Sequence, residues 1–178
     1  MMKKRKIFLT GLMGSGKTSC GRLLARRLGW PFLDTDALAE AKSGMKVAAI
    51  FSRFGEARFR RMEASALKSA ARRPGPAVIA TGGGAPMLVG NRRVMVKTGL
   101  RVFLQVPLRR LLQRLGAKGR SRRPLLAAGA SKALRHLAAT RAAVYRQCEI
   151  QVRADTTPGK VVERVLRQIN KKKPGFFR

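Results

Sequence analysis

The chain has 178 residues, with 40 Lys and Arg against 8 Asp and Glu, a formal net charge of +32. Hydrophobic residues make up 45% and charged residues 27%, which suits one folded α/β domain with a buried core and excludes a disordered chain. No apolar run approaches the roughly 20 residues of a membrane span, and Cys20 and Cys148 offer neither metal spacing nor a disulfide framework. A reducing, cytoplasmic setting and a monomer are therefore the expectation.

The start, MMKKRKIFLTGLM, imitates a secretory signal, but GSGK follows where a small-residue cleavage site should stand. Lys6–Thr10 (KIFLT) is instead a short apolar run ending at glycine, which predicts a buried strand. Helical spacing of Leu23, Leu24 and Leu28 follows from about Lys17 and stops at Gly29, a natural C-cap. Pro31–Leu33 predicts a second strand leading into Asp34. Lys46–Arg72 reads as one or two amphipathic helices ended by Pro74-Gly75-Pro76. Val78–Ala80 predicts a third strand, and Leu100–Val106 a fourth, with Pro107 at the first position of a helix. Gly116 to Gly129 reads as a strongly basic loop, before a helix from about Lys132 to Arg146. Ile150–Val152 predicts the last strand and Lys160–Ile169 the last helix, leaving a tail, KKKPGFFR, expected to fray. Strands alternating with helices at this spacing predict a five-stranded parallel sheet with helices on both faces.

The sharpest motif is GLMGSGKT, Gly11–Thr18, which satisfies G-x-x-x-x-G-K-[ST] between a predicted strand and a predicted helix. Its glycines let backbone N–H groups turn inward as an anion nest. Lys17 can reach the β- and γ-phosphates of a nucleotide, and the Thr18 hydroxyl can ligate Mg²⁺. Such a loop does not say what receives the phosphate.

Three further motifs bear on the acceptor. LDTD, Leu33–Asp36, stands at the end of the second strand, where α/β sheets place ligands. Its carboxylates can serve a metal and a hydroxyl, or Asp36 can simply cap a helix over ALAEAK. ATGGGAP, Ala80–Pro86, lets a substrate lie against bare backbone, or is an ordinary strand-to-helix turn. FGEARFRRME, Phe54–Glu63, holds two of the chain's few acids. On a helix only Arg60 is bracketed by both, Glu56 four residues before and Glu63 three after. A guanidinium so held is aimed at a carboxylate or phosphate; the plain alternative is a pair of surface ion pairs.

Taken together, the P-loop, LDTD, GEARFRRME, TGGG and RRPLL, in this order and spacing, resemble the shikimate kinase family from about Ile7 to Asn170. The resemblance implies a nucleoside-monophosphate-kinase-like P-loop core (about 6–35, 77–111 and 130–170), an acceptor-binding region (about 36–72), a mobile lid (about 116–129) and a basic tail (171–178). It implies transfer of the ATP γ-phosphate to the 3-hydroxyl of shikimate, with Mg²⁺. It assigns Gly14, Ser15, Gly16, Lys17, Thr18 and Ser19 to the nucleotide, Thr18 and Asp34 to the metal, and Arg114 and Pro158 to the adenine region. Asp36 would bind the acceptor hydroxyl as base or orienter, and Gly82, Gly83 and Gly84 would line the acceptor. Arg60, backed by Glu63, and Arg141 would hold the shikimate carboxylate. Arg123, chosen from the lid arginines Arg120, Arg122 and Arg123 because PLL adjoins it, would approach the phosphates.

The charge admits two readings. It can attract nucleic acid, anionic membrane surfaces or phosphorylated substrates, or it can be a diffuse property of the surface, since no aromatic residues interleave with the cations along the chain as stacking platforms require. No specific nucleic acid is expected, although non-specific binding at low salt is. A related small-molecule kinase such as gluconate kinase, and a nucleic-acid-binding protein on a P-loop scaffold, are the alternatives.

Overall fold

The computed structural model describes residues 5–121 and 130–177. Five strands, β1 (Lys6–Thr10), β2 (Phe32–Asp34), β3 (Ala77–Ala80), β4 (Gly99–Gln105) and β5 (Ile150–Arg153), form one sheet in the order β2-β3-β1-β4-β5. Every pairing is parallel, with Ile7 opposite Val78 on one side and Leu100 on the other. Helices α1 (Lys17–Leu28), α2 (Thr35–Ser43), α3 (Val47–Arg72), α4 (Val89–Thr98), α5 (Leu108–Ser121), α6 (Ala130–Arg146) and α7 (Pro158–Lys172) make the connections.

Alternation along the strands divides the core. Ile7 and Leu9 of β1 face α1 and α7, packing with Leu24, Val162, Val165 and Ile169. Phe8, between them in sequence, points the other way, to Leu67 of α3 and Met95 of α4. A smaller cluster joins Leu12 to Leu111 and Leu115 of α5 and to Leu134 and Tyr145 of α6. Since every strand runs the same way, the segments leaving β1, β2, β3 and β5 meet at one edge of the sheet. That edge carries the cleft described below.

Several local expectations change. Helix α4, with the 3₁₀ turn Ala85–Met87 before it, fills a stretch that the sequence pattern left unassigned. Pro107 stands just before α5, its carbonyl accepting from the Leu111 N–H, rather than at the first helical position. Helix α5 runs on past a break at Gly116 to Ser121, so the first part of the expected loop is helical. The tail does not fray at once: α7 continues to Lys172, and Phe176 and Phe177 fold back to within 6.2 and 5.9 Å of the Trp30 ring. Among the described residues no helix is long and apolar enough to cross a membrane.

Candidate active site

Four chain segments converge at the carboxyl edge of the sheet. β1 releases the loop Gly11–Gly16, β2 ends in Asp34, β3 runs into Thr81–Gly84, and β5 leads to the start of α7. They enclose a cleft of about 470 Å³ lined by Gly14, Ser15, Gly16, Lys17, Thr18, Ser19, Asp34, Asp36, Gly83, Arg114 and Pro158, among others. These eleven residues are all candidates named from the sequence.

The loop is wound around its own lysine. Gly16 takes the left-handed region, with φ 90°, as α1 begins, and Lys17 Nζ donates to the Gly11 and Leu12 carbonyls at 2.9 and 3.0 Å. Thr18 Oγ1 donates to Asp34 Oδ2 at 2.9 Å. The other oxygen of Asp34 accepts the Asp36 N–H at 3.0 Å, so Asp34 is the N-cap of α2. Asp36 is therefore released from the capping role the sequence left open to it. Its Oδ1 is buried with no hydrogen-bond partner among the described residues. Burial first, and Asp34 second, push the Asp36 carboxyl above its usual pKa, against the pull of Lys17 and Arg60. Cys20 also faces the cleft, but burial lifts its thiol to about 11 despite Arg114, so it stays protonated and is no nucleophile at neutral pH.

A second cluster lies behind Asp36 and Gly83. Helix α3 breaks at Gly55 (φ 74°, ψ 172°), which makes Glu56 the first acid of the half that continues. Arg60 Nε and Nη2 donate to Glu56 Oε1 at 3.1 and 2.7 Å, and Nη1 donates to Glu63 Oε2 at 3.0 Å. The two arms differ in kind: the Glu63 side chain is 1% exposed and the Glu56 side chain 52%. Burial works against the Arg60 charge, but Glu63 and then Glu56 outweigh it and hold the guanidinium pKa above its usual value. For Glu63, burial dominates and raises the carboxyl even though Arg60 opposes it. Its Oε1 is, like Asp36 Oδ1, buried and unpartnered among the described residues.

The three glycines explain how these groups fit. A Cβ on Gly82 would collide with Glu63 Oε1 and Asp36 Oδ1, and one on Gly84 with the Arg60 guanidinium. A Cβ on Gly83 would stand 3.5 Å from Arg141 Nη1 and 3.7 Å from the Tyr145 hydroxyl. The GGG turn is thus the wall against which both orphan carboxylate oxygens and both arginines lie. Thr35 Oγ1 accepts the Gly82 N–H at 2.9 Å, and the Tyr145 hydroxyl donates to the Gly83 carbonyl at 2.6 Å.

Tyr145 is a residue that sequence reasoning missed. It stacks on Phe103 at 5.0 Å, lies one helical turn after the buried Arg141, and ties α6 to the glycine turn. The signal available was the spacing of Arg141 and Tyr145 in TRAAVY, which puts both on one helix face. Arg123 and most of the expected lid lie outside the described residues.

The model of the shikimate kinase family matches residues 13–170. A shikimate kinase of Symbiobacterium thermophilum is 49% identical over 142 residues, 79% of this chain and 81% of that protein. A shikimate kinase of Geobacter sulfurreducens is 42% identical over 166 residues, 93% and 88% of the two chains. Among solved structures, a shikimate kinase from Acinetobacter baumannii in complex with shikimate matches with a TM-score of 0.90. Its identity is 34%, over 96% of this chain and 95% of that one.

Proposed function

The chain belongs to the shikimate kinase family, and from that premise we propose how its residues divide the work of transferring the γ-phosphate of ATP to the 3-hydroxyl of shikimate. The observation that carries the scheme is the position of Asp36: one oxygen buried and unpartnered, between the phosphate loop and the Arg60–Arg141 cluster.

Arg60 and Arg141 hold the shikimate carboxylate, Glu63 and Glu56 aiming the first and Tyr145 lying beside the second. The ring rests on Gly82–Gly84, which places the 3-hydroxyl at Asp36. Asp36 accepts the hydroxyl proton as the new O–P bond forms and the bond to the ADP oxygen breaks. Lys17 exchanges its carbonyl partners for β- and γ-phosphate oxygens and takes up the charge that develops on them. The backbone N–H groups of Gly14–Ser19 cradle the phosphates, and Arg114 and Pro158 flank the adenine region. Arg114 is tethered there by donating to the Thr156 carbonyl at 3.2 Å. For Arg123, which lies outside the described residues, the family resemblance implies approach to the transferring phosphate.

Thr18 and Asp34 fit a magnesium ion, because they present two hard oxygens 2.9 Å apart at the mouth of the phosphate loop. Bound there with the nucleotide, Mg²⁺ supplies neutralisation of phosphate charge. Every residue in this scheme comes from one chain, so a monomer suffices, and the cytoplasm is its natural setting as the compartment that supplies ATP. The test is a coupled ADP-release assay offering shikimate, gluconate and nucleoside monophosphates in turn. Turnover with shikimate alone is the expected result; release driven by gluconate or a nucleotide instead would overturn it.

A further inference from the structure

The cleft uses little of the chain's charge. Of its eight acids, six form ion pairs: Glu40, Glu56, Glu63, Glu149, Asp155 and Glu163. The other two, Asp34 and Asp36, face the cleft. No acid on the outer surface is left without a cation beside it.

The fold gathers part of the excess at one place. Helices α1 and α7 both start at the carboxyl edge of the sheet and run side by side to the opposite pole. Pro158, the first residue of α7, lines the cleft, and the 15-residue helix carries its last turn about 20 Å away. Arg26 and Arg27 end α1 there, Lys171 and Lys172 end α7, and Lys173 follows. All five are exposed, Arg27 pairing with Glu163 at 3.6 Å and Lys172 donating to the Glu149 carbonyl at 3.4 Å. Trp30 follows the end of α1, and Phe176 and Phe177 follow Lys173; their rings are partly exposed, with the two phenylalanines edge-to-face at 5.4 Å and 80°. Each group of cations lies close along the chain to its own aromatics, and the contact of Trp30 with Phe176 and Phe177 brings the two groups together.

We propose that this pole binds single-stranded nucleic acid without sequence preference. The cations would contact backbone phosphates and the ring cluster would receive unpaired bases. A duplex offers its phosphates but not its base faces, so it leaves the rings unused. A membrane surface fits less well, because an interfacial anchor must bury well-exposed apolar side chains in lipid. The well-exposed large apolar side chains among the described residues, Phe54, Leu88, Val89 and Val96, are on neither helix nor the tail. Distance from the cleft leaves the kinase free to turn over while the pole is occupied.

Trp30 is the only tryptophan in the chain, so its emission reports directly on the pole. The experiment titrates the full chain with a short oligouridine RNA, a DNA duplex of equal length, and phosphatidylserine vesicles, each with and without saturating ATP and shikimate. The expected result is quenching of Trp30 by the RNA that survives both substrates, with affinity falling as salt rises, by a log–log slope of about −0.7 per phosphate contacted. Phe177→Leu should weaken RNA binding about tenfold, and Lys171→Glu with Lys173→Glu should flatten the salt slope, all with ADP release unchanged. Equal binding of the duplex with Trp30 emission unmoved would reduce the pole to diffuse charge and overturn the proposal. So would a preference for vesicles, or displacement of the RNA by ATP. Should a variant fail to fold, the Trp30 signal and the substrate competition on the unaltered chain still decide.

Discussion

Arg60 and Lys171 carry the same charge in opposite circumstances. Arg60 is held at three points by two carboxylates, one of them fully buried, and lies against a glycine turn that has no side chain to keep it away. Lys171 is one of several exposed cations in a last helical turn and the tail beyond it, favoured there by the helix dipole. The difference teaches that a net charge of +32 says little about where charge acts. In the proposed scheme, function at the cleft depends on the few acids that aim a cation, and the acids are scarce enough to be counted.

The largest effect should come where the acid itself does the chemistry. Asp36→Asn is expected to lower kcat by about 10²- to 10⁴-fold with ATP binding retained, measured by coupled ADP release and nucleotide titration; an unchanged kcat would remove Asp36 from proton transfer. Next is the aimed cation. Arg60→Ala leaves Glu63 buried without its partner and should cost shikimate binding about 2–5 kcal/mol, seen as a rise in the KM for shikimate with the KM for ATP little moved. A KM that stays put would mean that Arg60 is only structural.

The two glutamates then separate the buried arm from the exposed one. Glu63→Gln should raise the shikimate KM by about tenfold, on the scale of a lost buried charge-assisted hydrogen bond. Glu56→Gln should shift it less than about threefold, since its arm is an exposed i,i+4 pair worth a few tenths of a kcal/mol. Equal effects would erase the distinction. The smallest effect concerns an acid that aims a cation far from the chemistry. Glu149 accepts from the Arg101 N–H, Nε and Nη2 at 2.8, 3.1 and 2.8 Å. Burial would raise its carboxyl, but these bonds outweigh it and hold the pKa below its usual value. A folded-state pKa below the unfolded one gives stability that is complete above about pH 5 and is lost as pH falls through the folded value. Thermal melts between pH 3 and 7 should show this loss in the unaltered chain and a weaker one in Glu149→Gln, with kcat at pH 7 unaffected.

How much of this was legible in the sequence depended on whether the deciding contact was local. The strands read correctly because buried parallel strands are short apolar runs, and the phosphate loop because its motif specifies its own context. Arg60 was singled out by helix offsets alone, and the hydrogen bonds fall on those offsets. Helix α4 escaped because VGNRRVMVKT mixes glycine, asparagine and β-branched residues of modest helix propensity, and its place rests on packing against β4 and α3. Asp34 and Asp36 could not be told apart as cap and free acid, because a turn's dihedrals decide which carboxylate reaches back to an N–H. The tail read as frayed because its anchor, Trp30, lies at the other end of the chain. Tyr145 was missed for the same reason: its partner is a carbonyl 62 residues away.

The claim that aim matters more than charge is tested most directly by Arg60→Lys, which keeps the charge and removes the planar fork. Calorimetric titration with shikimate, in the presence of a non-hydrolysable ATP analogue, should show the variant binding at least about tenfold more weakly than the unaltered chain. Equal affinity would mean that a positive charge anywhere near Gly84 is enough, and would contradict the account.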